Sequence, residues 1–515
     1  MDPDVDIRDD YHSRTNLHLA AGEGDLSKCS TLVSEGANLE LIDEDGYTPL
    51  MVAACLGQTE VVSFLCENGA QVDAISFNST ALSLAADYGH SEVVNILCEN
   101  GSKVDVRINY GNTALTRAAE CGHTDVVRVL CENGAKVDVK NNHGNTALIL
   151  AAMYGYAEVV QLLCAKGAKL EVKNNNLYTA LMTAAKNGHT EVVKILCENG
   201  VHLDVKNSDG NTALILAAAF GSTGPAKMLC EKGAQLELKN KDHFTALMLA
   251  ASNGYHEVVK ILCENGAQND IKDKHGSTAL ILAARKGKTA VVRILCENGA
   301  QLNIKDNSSK TSLVLAGNKG QTALSHAAKN GHTETVKMLC ENGAQIDVKD
   351  KFGRTALIMA AYKGQSEVVK ILCENGAQVD VKISFGKTAL ILAAEKGHFE
   401  VVRILCENGA QVNIKEASGD TALRRASLND NYNAVRILNE YGADVSLCIG
   451  WKKADFLKQA CINGHKKLVK DLLRDGADPN LGEYVQLALE MYYQDIFLML
   501  IEAGAEVNPV STFCW

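Results

Sequence analysis

Residues 352–382 have the sequence FGRTALIMAAYKGQSEVVKILCENGAQVDVK, and almost the whole 515-residue chain consists of copies of this unit. Thr355 is placed to cap a first short helix, which we expect to end at Gly364. Ser366 is placed to cap a second helix with a wide apolar stripe, and Gly376 suits the left-handed turn that closes it. An extended arm follows, in which apolar and polar residues alternate. Because neither helix is long enough to be stable alone, each unit must stack on its neighbours.

The residue that opens the first helix recurs along the chain, most often with a step of 33 residues, as from Thr113 to Thr146. A period of 33 is typical of the ankyrin repeat, and Thr48-Pro49-Leu50 matches the start of that family's motif. The chain therefore resembles a long ankyrin array of about 15 repeats. The resemblance implies an all-α repeat solenoid, an ankyrin-repeat stack of helix-turn-helix units with β-hairpin arms. The openers are Thr15, Thr48, Thr80, Thr113, Thr146, Thr179, Thr212, Thr245, Thr278, Thr322, Thr355, Thr388, Thr421, Asp455 and Glu483.

The domain organisation follows from this period. We predict a single ankyrin-repeat solenoid over residues 14–508, with a frayed acidic N-terminus at 1–13 and a C-terminal tail at 509–515. A solenoid has no upper limit of size, so the length of the chain does not require several globular domains.

Two units depart from the regular pattern. From Thr278 to Thr322 the step is 44 residues, or 33 + 11, so we expect residues 306–321 to form an enlarged loop. A short helix at 311–316 is the alternative interpretation. In a different unit, Gly224-Pro225 replaces the Glu-Val that opens the second helix elsewhere, and this predicts a slightly shorter helix.

Composition limits the classes of partner and compartment. There are 51 basic and 62 acidic residues, so the formal net charge is −11, and the field of the whole molecule disfavours nucleic acids and anionic membranes. The chain has no apolar run of 18 residues and no signal-peptide pattern. We therefore expect no membrane insertion and an intracellular, cytoplasmic protein, although the sequence does not distinguish the cytoplasm from the nucleus.

The cysteines and histidines follow the repeat rather than a catalytic pattern. Stacked units would hold equivalent cysteines about 10 Å apart, beyond the roughly 7 Å limit for a disulfide, so we expect free, buried thiols. The recurring Gly-His pairs are predicted to be structural, and no metal-ligand spacing or nucleophile motif occurs. We predict no enzyme activity, catalytic residue, metal, cofactor or small-molecule substrate. The eleven equivalent cysteines are Cys66, Cys98, Cys131, Cys164, Cys197, Cys230, Cys263, Cys296, Cys340, Cys373 and Cys406.

Partner-binding residues are expected where the copies differ, at the arm tips and the ends of the first helices. In ankyrin-repeat proteins, which this chain resembles, these positions line a concave groove. In the first half they form an aromatic set, interspersed with acids such as Asp87 and Glu120: Tyr47, Phe77, Tyr88, Tyr110, Tyr154 and Tyr178. In the second half they form a basic set: Arg285, Lys286, Lys351, Phe352, Arg354, Tyr362, Lys363, Phe385 and Lys387.

The leading hypothesis is a scaffold or adaptor that binds a partner protein along this groove. Aromatic anchors would act in the first half, and the second half would hold an acidic or phosphorylated segment. One alternative is that the lysines only keep a large protein soluble. A second is nucleic-acid binding through the Lys-rich half. A third, implied by the family resemblance, is hydroxylation of Asn303 and Asn413, which stand in the arms where most units have Asp.

Overall fold

The computed structural model describes residues 6, 13–306, 320–447, 453–481 and 483–506. The described residues divide into two compact units, one within Met1–Ala250 and Glu257–Gln268, the other within Ala251–His256 and Asn269–Trp515. Both consist of paired short helices joined by turns, as the repeat predicts. No strand occurs among the residues described, and pairing in the arms is limited to isolated bridges such as Ser76 with Ser79.

The described helices alternate between the first and the second helix of each repeat. In chain order they are α1 (Asn16–Glu23), α2 (Leu26–Ser34), α3 (Pro49–Cys55), α4 (Thr59–Glu67), α5 (Ala81–Tyr88), α6 (Ser91–Glu99), α7 (Ala114–Cys121), α8 (Thr124–Glu132), α9 (Ala147–Tyr154), α10 (Ala157–Ala165), α11 (Ala180–Asn187), α12 (Thr190–Glu198), α13 (Ala213–Phe220), α14 (Thr223–Glu231), α15 (Ala246–Asn253), α16 (His256–Glu264), α17 (Ala279–Arg285), α18 (Thr289–Glu297), α19 (Ala323–Asn330), α20 (Thr333–Glu341), α21 (Ala356–Lys363), α22 (Ser366–Glu374), α23 (Ala389–Lys396), α24 (Phe399–Glu407), α25 (Ala422–Leu428), α26 (Tyr432–Glu440), α27 (Lys453–Ile462), α28 (Lys466–Arg474), α29 (Tyr484–Glu490) and α30 (Gln494–Glu502). Short 3-10 turns lie at Asn109–Gly111, Ser384–Gly386 and Val445–Leu447.

All first helices except α27 and α29 begin at a threonine whose hydroxyl oxygen accepts a hydrogen bond from the N–H three residues later. At the start of α21, Ile358 N donates to Thr355 Oγ1 at 3.4 Å, and the helix ends at Gly364 with a φ of 75°. This contact satisfies one of the backbone donors that a helix N-terminus leaves without an intrahelical partner. The prediction for Asp455 is wrong, because α27 already begins at Lys453.

Most second helices begin without a side-chain cap, α2 with its N-cap Asp25 being an exception, and the prediction for Ser366 is wrong. The N-cap of α22 is Gln365, which makes no capping hydrogen bond. Elsewhere the side chain at this position joins one repeat to the preceding one instead. His90 Nε2 lies 3.0 Å from the carbonyl oxygen of Cys55, and His123, His189, His332 and His398 make equivalent contacts. The structural role predicted for these Gly-His pairs is thereby confirmed.

Apolar side chains of both helices are buried between neighbouring repeats. Within a compact unit, first helices pack on first helices and second helices on second helices, as α21 does on α19 and α23. Leu357, Val369 and Leu372 are fully buried in these contacts. Burial of such a side chain contributes about 1.5–3 kcal/mol, so the interfaces supply the stability that a single short helix lacks.

The equivalent cysteines are free thiols, as predicted, but most are less buried than predicted. Only Cys230 and Cys406 of the eleven are buried, because the position lies in the last turn of the second helix, where part of the side chain faces solvent. Burial is nevertheless enough to raise the pKa of Cys373 to about 11 and that of Cys406 to about 12. These thiols are therefore protonated and weakly nucleophilic at neutral pH.

The second helix that contains Gly224 and Pro225 has its full length, so the prediction of a shorter helix is wrong. It runs over nine residues, Thr223–Glu231, as its counterparts do. Pro225 is the third residue of this helix and is buried. An N–H in the first turn has no intrahelical acceptor, so proline removes no helical hydrogen bond there.

Most of the described arms are closed by a turn built on an acidic or amide residue, whereas Ile108 and Ile383 take this place in two others. Asp350 N donates to the Arg354 carbonyl oxygen at 3.0 Å, and Asp350 Oδ1 accepts from Arg354 N at 2.9 Å. Asp306 and Gln321 make the same two contacts, at 3.1 Å and 3.0 Å. The residues on either side of the long step therefore make the contacts of a normal turn, and Thr322 is the cap, as predicted.

Several predicted segments lie outside the described residues. These are residues 307–319, which include the alternative helix at 311–316, most of the N-terminal segment 1–13, and the whole tail 509–515.

Candidate protein-binding surface

Two kinds of position carry the aromatic and basic sets, the arm tips and the last turns of the first helices. Tyr110 and Phe385 are at arm tips, where both have left-handed backbone angles, with φ of 54° and 66°. Their side chains are 70 % and 80 % exposed. Tyr88 ends α5, directly before Gly89, and Tyr362 lies in the last turn of α21, two residues before Gly364. The repeat frame therefore fixes the backbone while large aromatic side chains remain exposed.

The aromatic set is only partly uniform. Phe77, Tyr88 and Tyr154 are also exposed, whereas Tyr47 and Tyr178 are half-buried. Tyr47 donates its backbone N–H to the turn residue Asp43, and Lys186 Nζ lies 5.7 Å from the centre of the Tyr178 ring. The exposed members are thus better placed than Tyr47 and Tyr178 to contact a partner.

An ion-pair network lies among the exposed tyrosines of the first half. Arg117 donates from Nη2 to Asp87 Oδ1 at 2.5 Å and from Nη1 to Glu120 Oε2 at 2.8 Å. Burial, followed by the charge of Glu120 and a hydrogen bond to it, raises the pKa of Tyr154. Asp87, Arg117 and Tyr110 also line a cavity of about 220 Å³. Arg117 therefore offsets one of the two negative charges of Asp87 and Glu120.

The sequence prediction missed Arg117 and Phe220. The i, i+3 spacing of Arg117 and Glu120 was a usable signal, because such pairs are neighbours on a helix. Phe220 is 54 % exposed, and Lys186 Nζ lies 4.9 Å from its ring centre. It occupies the same repeat position as Tyr88 and Tyr154, two periods apart each time (220 − 154 = 66), which could have identified it.

Three cations of the basic set are paired with carboxylates. Arg285 Nη2 lies 3.6 Å from Asp306 Oδ2, and Arg354 Nη2 lies 2.7 Å from Asp350 Oδ2. Lys387 Nζ lies 2.5 Å from Glu395 Oε2 and 3.8 Å from a buried carboxylate, that of Glu416. The positive charge of the second half is consequently smaller than the count of lysines and arginines suggests.

Several cations of the second half also lie near two aromatic rings. Lys351 Nζ and the Arg354 guanidinium lie 4.7 Å and 4.8 Å from the ring centre of Phe352. Lys363 Nζ lies 5.7 Å from the ring centre of Tyr362, and Lys396 contacts the same ring. A cation–π contact holds the charge of a lysine near the ring without neutralising it.

A cleft of about 390 Å³ brings three members of the basic set together, Arg354, Tyr362 and Lys363. Lys329, which is not in the set, completes its cationic lining. Lys286, Phe385 and Lys387 are not among the residues that line this cleft.

Family models for ankyrin repeats match most of the chain. The model described as "Ankyrin repeats (3 copies)" matches residues 17–108, 82–174, 167–240, 235–306, 307–383 and 380–447, and the one described as "Ankyrin repeat" matches 457–483. The chain belongs to the ankyrin-repeat family. Ankyrin repeats are generally protein–protein interaction modules, and these matches give no support to the alternative of nucleic-acid binding.

The ankyrin-repeat relatives match only short parts of the chain. Human "Ankyrin repeat family A protein 2" is 40 % identical over 55 residues, which is 11 % of this chain and 18 % of that protein. "Palmitoyltransferase AKR1" of Saccharomyces cerevisiae is 37 % identical over 67 residues, 13 % of this chain and 9 % of the relative. "Probable E3 ubiquitin-protein ligase XBOS31" of Oryza sativa is 39 % identical over 69 residues, 13 % and 15 % of the two chains. The chain thus covers less than a fifth of each of these proteins.

A solved ankyrin-repeat structure is also similar. The crystal structure of the human ASB11 ankyrin repeat domain has 28 % sequence identity and a TM-score of 0.40, and the match covers 43 % of this chain and 99 % of that one.

Two further properties concern the part of the chain that the structure describes. None of the described helices is both long and apolar enough to span a bilayer. The helix at Lys453–Ile462, for example, has 10 residues. Among all the residues described, no three His, Cys, Asp or Glu side chains are grouped as a metal site.

Proposed function

We propose that this ankyrin-repeat protein is a non-enzymatic scaffold or adaptor that binds a partner protein through its arm tips and the ends of its first helices. The resemblance to ankyrin-repeat proteins implies that these positions line the concave groove. The supporting observation is the exposure of four members of the aromatic set, which ranges from 49 % at Tyr154 to 70 % at Tyr110 and includes Phe77 and Tyr88. Exposed aromatic side chains on a fixed backbone are frequent anchors of protein interfaces, because they bury a large area and lose little conformational entropy.

The electrostatics of the same positions supports a protein partner over a nucleic acid. The first half combines aromatic rings with the paired charges of Asp87, Arg117 and Glu120, and this combination is typical of protein interfaces. A binding surface for nucleic acid would need extended positive charge, and the chain carries −11 overall.

The proposal is tested by removing the exposed tyrosines of the first half together. The variant Tyr88→Ala, Tyr110→Ala, Tyr154→Ala is compared with the unchanged chain as bait in affinity capture from the native cell, with quantitative mass spectrometry. We expect at least one protein to be enriched by the unchanged chain and to be lost by about tenfold or more with the variant, as for interface anchors of this kind.

The matched control removes exposed aromatic residues from the second helices. Phe399→Ala, Tyr441→Ala changes two side chains that are each 42 % exposed but lie on α24 and at the end of α26. We expect this variant to capture the same partner as the unchanged chain. Equal capture by all three baits, with melting temperatures alike, would contradict the proposal.

A further inference from the structure

The cleft beside α21 differs from the rest of the basic set because it joins a cationic rim to an apolar floor. Its rim consists of Lys329, Arg354 and Lys363, with Tyr362 between them. Ile358, Met359, Ile383 and Leu392 complete the lining. A volume of about 390 Å³ is enough for a few side chains, and ligand sites of about 300–1,000 Å³ commonly combine an apolar lining with a few polar groups.

The rim carries more positive than negative charge. Asp350 opposes Arg354, but Lys363 and Lys396 make no ion pair among the described residues and lie instead over the Tyr362 ring. Burial lowers the pKa of Lys329, and the neighbouring charges of Lys363, Arg354 and Arg285 lower it further. The ammonium group of Lys329 thus stands in a positive environment that an anionic ligand would relieve.

We propose that this cleft binds an acidic peptide segment of the partner protein, with an apolar side chain on its floor and carboxylates on its rim. The inference rests on the proposed function, because it takes the partner to be a protein. It adds the location of one contact and the chemistry of the segment that fits there.

The geometry favours carboxylates over a phosphate group. Arginine recognises phosphate best when its planar guanidinium offers two parallel donors. In Arg354, both Nε and Nη2 already donate to Asp350 Oδ2, at 2.8 Å and 2.7 Å. The other rim cations are lysines, which act as point charges and suit carboxylates spread along a peptide.

The test uses a defined probe and the whole chain. The probe is a fluorescein-labelled synthetic peptide with one leucine between runs of glutamate, and its binding is followed by fluorescence anisotropy at physiological salt. We expect saturable binding, weakened about tenfold when the glutamates are replaced by glutamine or the leucine by serine. Lys329→Glu, Lys363→Glu should weaken binding of the original probe by about tenfold or more.

A matched variant separates the cleft from net charge. Lys337→Glu, Lys370→Glu makes the same charge change at exposed positions on α20 and α22, and it should leave the affinity within about twofold. The floor is tested with the variant Ile383→Ser. It should weaken binding of the peptide that contains leucine but not binding of the peptide in which serine replaces the leucine. Melting temperatures of all variants are measured alongside.

Four results would overturn the inference. They are no saturable binding of the glutamate–leucine probe, equal effects of the two double variants, binding of a phosphoserine–leucine peptide in its place, and preferential binding of polyuridine RNA. Partner capture provides the separate readout. A partner that still depends on Tyr88, Tyr110 and Tyr154 would leave the scaffold function standing while the cleft inference falls.

Discussion

Gly364 and Gly376 close the two helices of one repeat with similar left-handed angles, but their surroundings differ. At Gly364, with a φ of 75°, an added Cβ would lie 2.7 Å from Nδ1 of His398 in the next repeat. At Gly376, with a φ of 85°, an added Cβ would meet no atom within 4 Å. The first glycine therefore serves both a backbone angle and a contact between repeats, and the second only a backbone angle.

Alanine at these two positions should consequently have unequal effects. For Gly376→Ala we expect a loss of about 1 kcal/mol in the free energy of unfolding, the cost of a left-handed alanine. Gly364→Ala should cost about 2 kcal/mol or more, since the His398 ring must also leave its contact with the Tyr362 carbonyl oxygen. Urea denaturation followed by circular dichroism measures both. Equal losses would show that the histidine contact contributes nothing.

His326 gives a second prediction at this scale, on pH. It is buried in α19, where Nε2 lies 2.9 Å from Asp306 Oδ2 and 3.4 Å from Arg285 Nη2. Burial lowers the pKa of His326 below its ordinary 6.5, with a smaller lowering from Arg285 and Lys329 and an opposing effect of Asp306. The unfolded chain therefore binds more protons than the folded one as pH falls below 6.5, and stability falls with it.

Replacing this histidine should flatten that pH dependence. His326→Met introduces the residue found at the equivalent position 359. The imidazole can then no longer take up a proton on unfolding, so its part of the loss of stability below pH 6.5 disappears even if some stability is lost at pH 7. Urea midpoints at about pH 7, 6 and 5 should fall less steeply for the variant than for the unchanged chain. Parallel slopes would refute the role of His326.

Whether a side-chain contact could be predicted depended on how far apart its two residues are in the sequence. Thr355 and Ile358, whose N–H donates to the threonine hydroxyl, are three residues apart, so this cap could be predicted from the sequence of one repeat. The pair Arg117–Asp87 joins residues 30 positions apart and exists only once two repeats have stacked, and the pair His326–Asp306 joins residues 20 positions apart, on either side of the long step. The charge balance of both halves of the surface could not be predicted for this reason.

At the scale of elements, the 33-residue period was sufficient to predict the helix pairs, because every copy must bury the same stripe. Details at helix starts were less predictable. Ser366 has a suitable cap chemistry, yet the N-cap is the residue before it, a position from which His90 and Gln58 contact the preceding repeat. Pro225 fits because it falls in the first turn. The first error came from judging one helix without its neighbour, and the second from overlooking that an N–H in the first turn has no intrahelical acceptor.

The long step after Thr278 supports a prediction about a whole loop. Deletion of residues 308–318 removes 11 residues and leaves Asp-Asn-Lys-Gly-Gln, which matches Asp-Lys-Phe-Gly-Arg at 350–354. Because Asp306 and Gln321 already make the contacts of a normal turn, we expect the shortened chain to fold and to gain about 1 kcal/mol from the smaller loop. Differential scanning calorimetry would show a higher melting temperature.

The control deletes the same number of residues, but starts two positions earlier. Removal of 306–316 takes out Asp306, which accepts hydrogen bonds from Gly320 N and Gln321 N and contacts His326. This variant should melt at a lower temperature than the unchanged chain. If both deletions destabilise equally, residues 308–318 themselves contribute to stability.

At the scale of the whole molecule, stability should be local because each repeat contacts mainly its neighbours. First helices pack on first helices and second helices on second helices of adjacent repeats, as α21 does on α19 and α23 and α22 on α20 and α24. In such arrays the free energy of unfolding is approximately a sum over repeats and nearest-neighbour interfaces. A defect in one repeat should accordingly weaken those beside it and fade with distance.

Gly364→Ala provides that defect, and amide hydrogen exchange reports where it acts. We expect faster exchange in α19–α24, which flank the substituted glycine, and unchanged rates in α5–α10 of the other compact unit. Gly376→Ala should give the same pattern with smaller increases, since no atom lies near its added Cβ. Faster exchange throughout both units would mean that the array opens as one cooperative block, because only then would a local loss of about 2 kcal/mol reach amides far from the substitution.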